Sequence, residues 1–68
     1  AGRSEFVAAR ILVGAERPAD AVSLYRAALE HAAGDEALRQ TAALELGDVL
    51  ESLGRPAEAA EVRATLPA

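Results

Sequence analysis

At 68 residues the chain is one small domain that hides only roughly 60% of the surface its unfolded form exposes. Without a cysteine it has no disulfide framework and no thiolate metal site to supplement a small core. Residues 1–34 hold four Arg against four acids and residues 35–68 three Arg against seven, so the whole net charge of −4 lies in the second half, a surface unsuited to nucleic acid.

No run of about 18 apolar residues occurs, and the N-terminus lacks a basic-then-apolar leader, so the expectation is a soluble, cytoplasmic protein without membrane contact. All seven basic residues are Arg and 18 residues are Ala, a bias of the kind a GC-rich, bacterial genome imposes. Because the sequence has no initiating Met, Ala1-Gly2-Arg3-Ser4 is read as a boundary segment.

Ser4 is the candidate N-cap of a first helix over about 5–15, whose apolar residues are Phe6, Val7, Ile11 and Val13. Pro18 then suits the first turn of a second helix over about 18–33, since its missing N–H has no partner there in any helix, and Asp20 places a carboxylate at the positive end of the helix dipole. Ala21, Val22, Leu24, Tyr25, Ala28, Leu29 and Ala32 give that helix one buried stripe. Gly34 suits a left-handed position after it, and Asp35 caps the next.

A third helix over about 36–53 carries Leu38, Ala42, Leu46, Val49, Leu50 and Leu53. Gly47 inside it costs on the order of 1 kcal/mol relative to Ala and so requires a packing reason. Gly54 ends this helix. Pro56 opens a fourth over about 56–65, where Ala59, Ala60, Val62 and Leu66 form an apolar side until Pro67. Nothing alternates with the period of a strand, and the tight turns make helices one with two, and three with four, antiparallel hairpins.

Glu16-Arg17-Pro18-Ala19-Asp20-Ala21 and Gly54-Arg55-Pro56-Ala57-Glu58-Ala59 share an Arg-Pro-Ala-acid-Ala core 38 residues apart. A period of that length marks helical-hairpin repeats, which stack and hold other polypeptides. The stretch Ala43-x-x-Leu46-Gly47-x-x-Leu50-x-x-x-Gly54-Arg55-Pro56-x-Glu58-Ala59, with Ala8-Ala9-x-x-Leu12 and Asp20-Ala21-x-x-x-Tyr25-x-x-Ala28-Leu29 before it, resembles the tetratricopeptide repeat, TPR. Together the two units span nearly the whole chain, 1–68, as a single TPR-like domain.

The resemblance implies an all-α fold, two antiparallel helical hairpins stacked as a TPR-like α-solenoid fragment of four helices. It also implies that small Ala9 and Gly47 let helices lie close together. The chain departs from the pattern where Leu12 and Leu50 replace aromatics, Pro18 and Pro56 open second helices that often begin with Tyr, and Arg63 stands where Tyr25 supplies an aromatic, which would leave the second unit loosely packed at its end. The period is longer than the family's of about 34 by close to one helical turn, which keeps the apolar faces in phase.

In this family the groove-lining faces would be formed here by Arg3, Phe6, Arg10 and Val13 of the first helix and Thr41, Leu44, Asp48 and Glu51 of the third. That surface would be basic on one wall and acidic on the other; the alternative is that Phe6 and Leu44 are core and the charges are solvated. The family's clamp for chaperone C-terminal carboxylates uses Lys and Asn pairs, which Phe6, Arg10, Leu44 and Asp48 do not supply, so that partner class is excluded.

His31 is the sole His and reads as a solvated residue favoured by the helix C-terminus rather than as a metal ligand. Glu45/Asp48 and Glu58/Glu61 read as surface acids, and Arg26/Glu30, Glu36/Arg39 and Glu51/Arg55 as exposed pairs. With no phosphate loop and no Ser/His/Asp arrangement, no enzyme, catalytic residue, cofactor or metal is expected. The function read from the chain is a protein-binding scaffold whose partner is a polypeptide segment or another copy of itself. The rivals are a four-helix bundle serving only dimerisation and a regulatory domain of a larger regulator or signalling enzyme. A closed bundle would bring the first and fourth helices together; a hairpin stack would not.

Overall fold

The computed structural model describes residues 2–66. Pro67, expected to stop the fourth helix, lies outside them, as do Ala1 and Ala68. The described residues form four helices and no strand: α1 (Arg3–Gly14), α2 (Pro18–His31), α3 (Glu36–Ser52) and α4 (Pro56–Ala64). None is long and apolar enough to cross a membrane.

Pro18 and Pro56 occupy first turns, and the residues before them, Arg17 and Arg55, adopt nearly the same backbone angles, φ −122° and −120°. Both turns close as Schellman motifs: the N–H of Arg17 donates to the carbonyl of Leu12 and that of Arg55 to Leu50, at 2.8 and 2.9 Å. The left-handed residue of each motif is Glu16 (φ 61°) in the first turn and Gly54 (φ 75°) in the second. Outside each turn an Arg grips the acid three residues on, Arg17 with Asp20 at 2.8 Å and Arg55 with Glu58. Asp35 caps α3, its Oδ1 accepting from the Leu38 N–H at 3.1 Å.

The first helix begins before the expected cap. Gly2, not Ser4, is its N-cap, in the left-handed region at φ 91°, and its carbonyl accepts the first helical bond from the Phe6 N–H. A Cβ on Gly2 would fall 2.8 Å from the Ala28 carbonyl oxygen, so this residue is pressed against α2 and the helix starts there. Ser4 sits inside the first turn with its hydroxyl on Glu5 at 3.5 Å.

Neighbours in sequence are neighbours in space. α1 packs on α2, α2 on α3 and α3 on α4, α1 also touches α3, and α1 and α4 make no contact. The result is a slab, 29 × 25 × 13 Å across its Cα atoms. Its core is continuous through the hairpins, from Phe6 and Ala9 through Ala21, Tyr25 and Ala28 to Leu46, Leu50, Ala59 and Val62. Alanines fill much of it, and Ala9, Ala21, Ala28, Ala42, Ala43 and Ala59 are fully buried, as helices in close approach require.

Candidate functional site: a cleft between the first and third helices

Where the N-terminal turns of α1 and α3 come together they border a cleft of about 190 Å³, lined by Arg3, Phe6, Asp35, Ala37, Leu38 and Thr41. Three residues of the expected groove thus share one cavity. Phe6 is its floor rather than a displayed side chain: it is buried and meets the Tyr25 ring edge-on, centroids 6.1 Å apart. The Thr41 hydroxyl donates to the Ala37 carbonyl at 3.0 Å and keeps its lone pairs for an incoming donor.

Arg10 lies over the Phe6 ring, its Cζ 5.0 Å from the centroid, and pairs with Glu45 of α3 at 3.1 and 3.0 Å. Oε1 of that same carboxylate accepts the Tyr25 hydroxyl at 2.8 Å. Burial, reinforced by the bond to Glu45, pushes the Tyr25 phenol well above its ordinary value of 10. Glu45, which sequence reasoning set down as a surface acid, therefore joins three helices. The signal available for it was its position on the face shared with buried Ala42 and Val49.

The other expected groove residues are spread along the slab. Val13 and Leu44 are exposed. Asp48 and Glu51 are drawn to α4, where Arg63 donates to both, at 2.9 and 2.6 Å, and the Arg63 contact holds the Glu51 carboxyl below its ordinary value. The end of the second unit, where Arg63 stands in place of an aromatic, is thus bridged by exposed ion pairs. Gly47 owes its small size to the same side chain: a Cβ there would fall 2.8 Å from Nε of Arg63, so what comes close is a guanidinium, not a helix backbone.

Charge is consequently neutralised in pairs along the two walls. Of the charged groove residues only Arg3 has no ion-pair partner among the described residues. On the opposite side of α1, Nδ1 of His31 donates to Oε2 of Glu5 at 2.8 Å, tying the end of α2 to the start of α1. Glu5's own backbone N–H first, and His31 second, hold its carboxyl below the usual range. Among the described residues no three His, Asp or Glu side chains converge to hold a metal ion.

The cleft presents a guanidinium with no ion-pair partner among the described residues, the Asp35 carboxylate that caps α3, an apolar floor and a hydroxyl acceptor. The chain matches no family model, no curated protein and no solved structure.

Proposed function

We propose that the chain is a TPR-like pair of stacked hairpins that works as a protein-interaction module, holding a polypeptide segment against the cleft between α1 and α3. The observation that carries this reading is the cleft itself, in which Arg3, Phe6 and Thr41 from the first helices of two successive hairpins line one cavity. The repeated Schellman turns and the absence of contact between α1 and α4 favour a stack over a closed bundle.

Arg3 supplies the attraction for a carbonyl or carboxylate of the segment, and Leu38 with the Phe6 floor takes an apolar side chain. Display selection of short peptides on the intact chain, followed by amide chemical-shift mapping, tests this. Selected peptides shift Arg3, Ala37 and Thr41, and Arg3→Glu weakens them at least tenfold. A selection that enriches nothing, or shifts confined to the outer faces of α2 and α4, would refute it.

A further inference from the structure

The displacement that relates the two hairpins also relates a covered face to an open one. On α3, Ala42, Glu45 and Val49 share a face at i, i+3 and i+7, and Glu45 reaches Tyr25 and Arg10, so that face is turned to the first hairpin, with Ala42 and Val49 buried in it. The residues 38 positions earlier are Ser4, Val7 and Ile11 of α1. These are open: Val7 is 49% and Ile11 65% exposed, beside a shallow depression of about 660 Å³ that Gly2, Arg3 and Ala8 also line.

The covering side repeats too. Tyr25 and Arg26 of α2 both reach the second hairpin, Tyr25 to Glu45 at 2.8 Å and Arg26 to Glu58 at 3.3 Å, and Val22 precedes them by one turn. Their counterparts on α4 are Ala60, Arg63 and Ala64. Ala60 and Ala64 are exposed, and the Arg63 guanidinium is already neutralised by Asp48 and Glu51. One end of the chain therefore offers two large apolar knobs and the other a shallow face of small residues. That pairing lets helices interdigitate. Where Glu45 needs a phenol and a guanidinium in its interface, Val7 needs neither, and Arg3 is the one charged residue that lines the depression.

We propose that this chain docks head to tail with a second copy, α4 of one seated on the Val7 and Ile11 stripe of α1 of the next, by the same step that carries its first hairpin onto its second. The proposal rests on the hairpin-stack reading above. The two contact patches differ, so every copy keeps an open end and assembly continues with concentration instead of stopping at two.

Sedimentation velocity over a range of concentrations tests it with two variants at exposed positions, Ile11→Glu and Ala60→Glu, whose helicity is checked by circular dichroism. The unaltered chain grows past the dimer mass as concentration rises. Each variant alone sediments as a monomer, and an equimolar mixture forms a dimer and stops, because one complementary pair of faces remains. If a Glu variant loses helix, Ile11→Gln and Ala60→Gln carry the same comparison. The proposal is overturned by an unaltered chain that stays monomeric, by Ala60→Glu dimerising on its own through a symmetric α1 contact, or by a mixture that fails to associate. A monomeric chain that still binds the selected peptides would overturn the docking alone and leave the cleft reading standing; growing chains that bind no peptide would do the reverse.

Discussion

The hydroxyl of Tyr25 on α2 donates to Oε1 of Glu45 on α3 across 2.8 Å, and Arg10 of α1 shares that carboxylate. One acceptor thereby fixes the register of three helices. Tyr25→Phe keeps the ring against Phe6 and deletes only the bond, so the expected loss of stability is about 1.5–3 kcal/mol in urea unfolding, the range for a hydrogen bond to a charged group. A midpoint that does not move would mean the bond is not made in solution.

Alkali provides a second reading of the same contact. A phenol whose folded value is raised contributes stability that is complete below its ordinary value of 10 and is lost as pH rises beyond it. Since the chain has a single Tyr, tyrosinate absorbance reports on this site alone. It should appear together with the loss of helical circular dichroism, not before it.

Acid acts on different residues. Arg63 lowers Glu51, Arg55 chiefly lowers Glu58, and Glu5 is lowered by its backbone N–H and by His31, all from 4.5. Depressed carboxylates contribute stability that is present above 4.5 and lost as pH falls through their folded values. Melting temperatures should therefore hold above that pH and drop below it. Arg63→Gln should shrink the drop by removing the Glu51 share.

Gly47 separates two explanations of a buried helical glycine. If a helix backbone lay against it, Gly47→Ala would be costly; here only the Arg63 side chain must move, giving up exposed ion pairs of little weight, while the helix gains about 1 kcal/mol of propensity. The expected net change is under about 1 kcal/mol. On an Arg63→Ala background the same substitution should stabilise outright by about 1 kcal/mol. Gly47→Leu, which expels Arg63 altogether, should lower the melting temperature.

Glu16 holds the left-handed position that Gly54 holds in the second turn. A side chain there costs roughly 1 kcal/mol that glycine does not incur. Glu16→Gly is accordingly expected to raise stability by about 0.5–1 kcal/mol, and Gly54→Ala to lower it by about 1 kcal/mol. Thermal melts of the two variants should move in opposite directions.

Local signals carried well and distant ones poorly. The two prolines, the Asp35 cap and the apolar stripe of α2 are properties of a few adjacent residues, and they stand in the structure as read, as does the Glu36/Arg39 pair at 3.2 Å. Helix-neighbour rules offered Arg26 the acid Glu30 and Arg55 the acid Glu51. Instead Glu58 serves both arginines, Arg55 as its neighbour three residues back and Arg26 through tertiary packing, and Glu51 goes to Arg63. No spacing rule reaches across 12 to 35 residues, so Arg63 with Glu51 and Arg10 with Glu45 were invisible before the helices packed. Of the cleft, Arg3 and Thr41 were legible as exposed residues of matching faces. The burial of Phe6 stood only as the alternative to its display in the groove, because the choice depends on Tyr25 arriving from the next helix.

Positions 25 and 63 lie 38 residues apart, the spacing of the two Arg-Pro-Ala motifs, yet one is filled by a buried ring and the other by a guanidinium pinned between two surface carboxylates. Ionic strength tells these apart. Screening lengths of about 8 Å at physiological salt fall to about 3 Å at 1 M, which weakens the Arg63 clamp and leaves the contact of Phe6 with Tyr25 untouched. In brine the two halves of this near-repetitive chain should no longer behave alike: amide protons along α4 exchange sooner, those of α1 and α2 persist, and opening acquires a direction that the repeat alone does not impose.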